Sequence, residues 1–454
     1  GVFIQYSGGK ILNNHSEYNQ AKYEDWAIGG GICAGAPISP LPWIIIRNNR
    51  INHNVAQSTN SDFGEGGGVL CYYNLIMTEN EVSDNVAKGA QSGQGGGVYV
   101  RGDMGGDPSF IFKNNILTQN KAVTNSDLSW FSLGGGFQIW MASGVASGNT
   151  FMNNEVISAP IAPSYGSGVF IQEVPNDDLI FENNFIKDNT FSGGGECYGG
   201  GLCLWITGGT YLNNVIQNNA GTYGGGIFMG NSPLYTAIFI NNTITGNDAG
   251  GSGTGLHLSS SNAVMVNSIL YNNTPPGPAI FAETSSLEVR YSDVEYDEFV
   301  YPGEGNINEE PQFKADGYHL DNPGGLLNAG ISTITIGSNT YYCPPFDIDG
   351  DIRPLGLQPE MGVDEVLDVS VPNMVLSQNK TISISPNPAR QILMISVPEE
   401  MVITELNLFN QQGQMVLKQV PVENTLDVSA LQPGIYFIEI ISDQSKSIRK
   451  LIIQ

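Results

Sequence analysis

The sequence predicts an all-β chain: a solenoid of repeated coils followed by a small Ig-like β-sandwich. Three observations carry this expectation. A glycine cluster that opens a short apolar run recurs nine times, each followed by an asparagine-centred strand phrase. The clearest copy is Gly224-Gly225-Gly226-Ile227-Phe228-Met229, then Ile240-Asn241-Asn242-Thr243-Ile244-Thr245-Gly246-Asn247. Repeats of this length are single coils that bury their apolar face only by stacking. Two columns after the glycines are wholly apolar at period two, as in strands with one face in a core. After residue 380 the glycine clusters stop and short alternating strands with turn signals take over.

The first inward column reads Val2, Ile32, Val69, Val98, Phe137, Val169, Leu202, Ile227 and Leu256. The second reads Ile4, Ala34, Cys71, Val100, Ile139, Ile171, Leu204, Met229 and Leu258. The glycines suit a tight corner where φ is positive or a side chain would collide. An asparagine column follows: Asn14, Asn49, Asn80, Asn115, Asn154, Asn184, Asn214, Asn242 and Asn267. Five residues further lies a second one, which Ala159 breaks, with apolar positions such as Ile51, Val82, Ile216 and Ile269 between the two. Asparagine accepts left-handed corners and its amides pair along a stack, so these are structural ladders. Spacing in the first column varies from coil to coil, which assigns the excess to surface loops at 57–65, 88–94, 102–109 and 122–133. Nine coils at one strand spacing each give a rod of roughly 45 Å.

Residues 1–304, with these Gly-rich, Asn-rich coils, resemble the right-handed parallel β-helix of the pectate-lyase-like superfamily. That fold hosts lyases, hydrolases, adhesins and spacers, so the resemblance implies architecture and leaves function open. The chain opens midway through a repeat phrase, which reads as an N-terminal truncation.

Composition narrows the partners. Eighteen basic against 44 acidic residues give a formal charge of −26. Such a surface excludes nucleic acid, which needs cations to neutralise phosphate, and disfavours anionic membranes and strongly anionic glycans. No apolar run is long enough for a membrane span. The five cysteines carry no metal-binding spacing and read as small packed hydrophobes, with Cys197 and Cys203 near enough in sequence for a small-loop disulfide.

Residues 305–366 contain Asn308-Glu309-Glu310-Pro311-Gln312-Phe313, Leu327-Asn328-Ala329-Gly330, Asp347-Ile348-Asp349-Gly350-Asp351-Ile352-Arg353-Pro354 and Met361-Gly362-Val363-Asp364-Glu365. This series resembles the choice-of-anchor Q segment that ends bacterial surface β-helix proteins. It reads as last coils and a cap over the open core end. Alternate Asp347, Asp349 and Asp351 suggest a calcium loop, against which stands a solvated turn held by Arg353.

Residues 367–380 read as a linker, and 381–454 as the last domain. Its Pro386-Asn387-Pro388 opening, Gly413-Gln414-Met415-Val416 hairpin, Leu431-Gln432-Pro433-Gly434-Ile435-Tyr436 phrase and Arg449-Lys450-Leu451-Ile452-Ile453 tail occur in this order. Together they resemble the sorting domain of type IX secretion cargo in Bacteroidota. The resemblance implies export by the type IX machinery to the medium or outer cell surface.

The functional expectation rests on the even-numbered positions after each glycine cluster, which face outward. They include Tyr72, Tyr99, Arg101, Trp140, Phe170, Gln172, Trp205 and Phe228. Aromatic rings beside amides suit sugars, which offer an apolar face and hydroxyl edges; contiguous apolar surface marks interaction sites. The bland reading is that insertion loops cover this face as a second core. The residues thus point to a monomeric surface protein that binds polysaccharide or a surface partner. A polysaccharide lyase or glycoside hydrolase, and an adhesin or stalk, are the alternatives. Neither outward column holds an Asp or Glu for the paired-carboxylate chemistry of glycoside hydrolysis. The nearby carboxylates Asp62, Asp103 and Glu173 fall in loops, and His15, His53, His257 and His319 form no triad spacing.

Overall fold

The computed structural model describes residues 1–35, 41–60, 62–102, 108–125, 131–174, 179–366, 383–385, 387, 389–397, 402–410, 415–420, 424–442 and 446–453. Contacts divide the chain into two units, residues 1–332 with 347–366, and residues 333–346 with 367–454.

The first unit is a parallel β-solenoid. One coil shows the plan: Val69–Cys71 on a first wall, Asn74–Thr78 on a second, Glu81–Ser83 on a third. Each strand pairs in parallel with its counterparts one coil before and after, for example Val69 with Ile32 and Val98. From the second coil on, both predicted inward columns are buried in one continuous core. Down its centre runs a file of rings: Phe112, Phe137, Phe151, Phe181, Tyr211 and Phe239, with successive centroids 4.3 to 6.0 Å apart. At the corner before each first-wall strand, Gly66, Gly95 and Gly134 take φ near +60°. The following glycines have no room either, since a Cβ on Gly96 would lie 2.4 Å from the Gly135 carbonyl.

The asparagines form two ladders. Asn80 donates from its backbone N–H and its Nδ2 to Asn115 Oδ1, at 3.0 and 2.8 Å, and from Nδ2 to the Ile46 carbonyl at 3.0 Å. Their membership corrects the expected alignment. The first ladder continues from Asn115 to Asn149 and then Asn184, and passes from Asn242 to Ser268 and Ser292. Asn154 belongs to the second ladder, which runs through Asn120, Asn154 and Asn189 without a break at Ala159, and Leu270, not Ile269, fills the core position. The left-handed corner is also one residue earlier than the ladder position: Asn48, Glu79, Asn114 and Asn183 have φ near +55°. Adjacent Asn-Asn pairs blur the two roles in the sequence.

Of the expected surface loops, 57–65, 88–94 and 122–133 are largely strand over their described residues, while 61, 103–107 and 126–130 lie outside the described residues. Gln20–Tyr23, Val55–Ser58, Val86–Gly89, Lys121–Thr124, Glu155–Ser158 and Thr190–Gly193 form one six-stranded parallel sheet. Ala27–Ile28, Phe63–Glu65, Ser92–Gln94, Ser132–Leu133, Ser164–Tyr165 and Cys197–Tyr198 form another, set just before the glycine corners. Between the second sheet and the outer side of the first wall lie two further apolar clusters.

After the ninth phrase a further rung, Ile280–Glu283, Ser286–Arg290 and Asp293–Val294, continues the walls without a glycine cluster. The segment beyond does more than close the end. Tyr301 and Leu287 pack against the core there, but the chain then runs back over the outer side of the third wall. Leu320, Leu326 and Met361 bury Ile269; Arg353 Nη1 donates to Asn213 Oδ1 at 3.0 Å, and Tyr318 stacks edge-on against Phe185. The third wall carries Val215, Thr243 and Ile269 outward at these rungs, all buried by the returning chain.

Asp293, in the last rung, is fully buried; its Oδ1 accepts the Glu309 N–H at 3.0 Å and its Oδ2 has no partner. Burial, with Glu309 and Glu295 nearby, pushes its carboxyl up to about 8. A folded-state value above the unfolded one means that protonation favours the fold, so stability falls as pH rises from about 4 towards 8. Asp293→Asn is expected to stabilise the solenoid, with a gain that grows between pH 5 and pH 8 by roughly 1.4 kcal/mol per pH unit, about 4 kcal/mol in all, and then levels off. Thermal melts of both proteins at pH 5, 7 and 9 check this; parallel profiles would refute it.

The second unit contains two antiparallel sheets, one of Ser383–Ser385, Ile392–Ser396 and Thr425–Asp427, the other of Ile403–Phe409, Met415–Gln419, Gly434–Ser442 and Lys446–Ile453. Leu393, Ile395, Leu406, Leu408, Leu426, Ile438 and Leu451 fill its core. Asn387 ties the opening to the last strand, donating to the Lys450 carbonyl at 2.7 Å and accepting from the Ile452 N–H at 2.8 Å. The hairpin Thr333–Ile336 and Asn339–Tyr342 groups with this unit, where Phe346 meets Phe437 at 5.2 Å, although it falls within the expected 305–366 segment. The expected linker 367–380, Pro386, Pro388 and the Gln412-Gly413 turn lie outside the described residues.

Candidate functional site

The outer side of the first wall is set by two columns. One runs Tyr99, Gln138, Phe170, Cys203, Phe228, His257, Phe281; the other Arg101, Trp140, Gln172, Trp205, Gly230, Ser259, Glu283. Facing them are the residues just before each glycine corner, with Tyr165, Tyr198 and Tyr223 aligned in consecutive coils.

Over the coils of residues 165–283 these groups enclose an open cleft of about 620 Å³. Tyr165, Tyr198 and Tyr223 stack at 5.1 and 5.2 Å along one side. Trp205 lies edge-on to Tyr165 at 5.5 Å and stacks on Phe228 at 6.3 Å. Gly230 makes room for it, since a Cβ there would sit 2.7 Å from the indole. His257 lies between Phe228 and Phe281, at 5.1 and 4.9 Å, and its Nδ1 meets Ser252 Oγ at 3.1 Å. Burial lowers the affinity of this imidazole for a proton, which keeps it neutral at pH 7. The rims are polar: Glu196 accepts from the Tyr198 and Tyr223 hydroxyls at 2.5 and 3.3 Å, and Ser259 donates to Glu283 at 2.9 Å.

Residues 135–340 match the family model for the right handed beta helix region, and residues 383–454 that for the secretion system C-terminal sorting domain. The chain is a right-handed parallel β-helix protein with a type IX secretion sorting domain. The sorting domain places it in the medium or on the outer cell surface. No curated protein and no solved structure matches the chain. Among the described residues no helix is long and apolar enough to cross a membrane.

The β-helix splits the eight expected ligand-binding residues. Tyr72, Tyr99, Arg101 and Trp140 form a cluster under the exposed Trp26, in which the buried guanidinium lies 4.8 to 5.9 Å from four ring centroids and is ion-paired with buried Glu65. Tyr99 is fully buried and Phe170 and Phe228 are each 3% exposed, so the expectation of a solvent-facing aromatic column is corrected. The covering six-stranded sheet is the reason. Trp205 and Phe228 line the cleft; Phe170 lies beneath Tyr165, and half-buried Gln172 donates to Glu173 at 2.6 Å. Sequence reasoning missed Tyr165, Tyr198, Tyr223, Phe281 and Glu283. The signal for the tyrosines was there, because each directly precedes a left-handed glycine, at 166, 199 and 224.

The expected calcium ligands do not converge. Asp347 is buried, and its two oxygens accept the N–H groups of Asp349, Asp351 and Glu365 at 2.8 to 3.0 Å. It shapes a turn, while Asp349 reaches away to His319 Nε2 at 2.5 Å. Of the carboxylates expected near the face, Glu173 partners Gln172, and Asp103 lies outside the described residues. All five cysteines are free thiols, four of them buried; burial pushes Cys33 and Cys71 up to about 12 and Cys197 to about 11. Thiols in that range are packing groups at neutral pH.

Proposed function

We propose that this secreted or surface-displayed β-helix protein binds a polysaccharide in the cleft of Tyr165, Tyr198, Trp205, Tyr223 and Phe281. The observation that carries the reading is a row of half-exposed rings whose neighbours already hold them in place. Such rings meet the apolar faces of pyranoses at little entropic cost, and Ser259, Glu283 and Asn231 at the edge suit hydroxyls. The described lining contains no Lys or Arg and the chain is strongly acidic, which favours a neutral polymer over a polyanion.

Electrophoresis of the full chain through gels cast with neutral and acidic polysaccharides tests this. One neutral polymer is expected to retard migration, and Trp205→Ala with Tyr198→Ala is expected to weaken retardation at least about tenfold, as loss of two stacking anchors implies. Equal retardation of wild type and variant would place binding elsewhere, and retardation by none would overturn the reading.

A further inference from the structure

The segment folded over the third wall brings together three metal-ligand side chains from separate stretches of sequence. A ring nitrogen of His319, a carboxylate oxygen of Asp349 and one of Asp364 all lie within 4.8 Å of one another, and Nε2 is the nitrogen that meets Asp349 Oδ2. His319 follows the Lys314–Gly317 turn, Asp349 lies in the turn organised by Asp347, and Asp364 sits where the chain re-enters the third wall beside Thr243. We infer that His319, Asp349 and Asp364 form a site for one divalent ion of the zinc class.

Geometry, second-sphere support and charge point the same way. Three atoms no more than 4.8 Å apart lie within about 2.8 Å of a common point, and zinc holds nitrogen and carboxylate oxygen at about 2.0–2.2 Å. Small side-chain rotations close that difference. The other ring nitrogen is already engaged: His319 Nδ1 meets Asp316 Oδ2 at 2.7 Å, the carboxylate contact that orients a metal-binding imidazole, while Nε2 meets Asp349 Oδ2 at 2.5 Å, so an ion would take the place of the proton between them. Asp364 is in turn held by the Leu320 N–H, which donates to its Oδ2 at 2.7 Å. Three carboxylates, of Asp316, Asp349 and Asp364, therefore surround one imidazole, and a lone imidazolium leaves negative charge in excess. An imidazole with two carboxylates suits zinc-class ions; calcium and magnesium prefer all-oxygen sets. The consequence is structural: one ion would cross-link three strands of chain over the third wall. The competing arrangement is an imidazolium bridging Asp316 and Asp349 with no metal.

The test is zinc binding by the metal-stripped full chain, followed by calorimetry and by metal content after gel filtration, with thermal melts in parallel. One zinc per chain is expected, with a rise in the melting midpoint. His319→Ala and the exposed-site variant Asp349→Asn are each expected to weaken binding at least tenfold and to abolish the zinc-induced rise. Asp349→Asn removes a charge from an exposed side chain, so its fold is expected to survive, and apo melts verify that. Unchanged stoichiometry and affinity in both variants would overturn the proposal, as would binding of calcium but not zinc, or no binding by folded wild type.

Discussion

Asn120→Ala is expected to destabilise the solenoid by about 4 kcal/mol, because one amide serves three coils. Asn120 is fully buried. Its Oδ1 accepts the Asn85 N–H at 3.1 Å and Asn85 Nδ2 at 2.9 Å, and its Nδ2 donates to the Val82 carbonyl and to Asn154 Oδ1. Truncation strands two donors and a carbonyl inside protein, each costing about 1–3 kcal/mol where water does not enter. Asn14→Ala is the internal comparison. Its Nδ2 bonds the Leu12 carbonyl at 2.7 Å and, weakly, Asn49 Oδ1 at 3.4 Å, in an exposed rung. It should cost about 1 kcal/mol or less, since water replaces what is lost. Urea unfolding of the two variants measures the difference, and equal losses would mean that the ladder is not a cooperative element.

What the sequence made legible follows from what repeats. The inward columns recur in every coil, and the register pairs those same residues, from Val69 with Val98 to Ile227 with Leu256. Glycine corners recur for the same steric reason each time. The two asparagine ladders were visible as a composition but not as an assignment, because Asn153-Asn154 and Asn241-Asn242 put a corner residue and a ladder residue side by side. The strands before the glycines have no common phrase: their last positions read Ile28, Glu65, Gln94, Leu133, Tyr165 and Tyr198. Only backbone pairing unites them, and backbone pairing leaves little mark on side-chain identity. That is why the covered face read as exposed. It is also why the cleft, which begins where this column turns to tyrosine, was visible from one side only. The His319 group depends on chain reversal across the third wall, a long-range event without local periodicity.

Arg101 separates the covered face from the open one experimentally. Arg101→Ala is expected to cost about 3–5 kcal/mol, because it leaves the carboxylate of Glu65 buried without its cation. Glu65 is 1% exposed and belongs to the covering sheet, whereas Arg101 belongs to the first wall, so the pair spans the second core. The rings of Trp26, Tyr72, Tyr99 and Trp140 around the guanidinium would also lose their cation. The double variant Glu65→Gln, Arg101→Met should recover most of the loss, since replacing both members of a buried pair is far less costly than breaking it. Chemical denaturation of wild type, Glu65→Gln, Arg101→Met and the double variant gives the coupling. Polysaccharide retention should behave in the opposite way. Arg101 lies three rungs from Trp205, outside the cleft lining, so a folded Arg101 variant should retain the polymer as wild type does. A variant that stays folded but loses retention would move the binding surface onto the Arg101 coils and show that the covering sheet opens there.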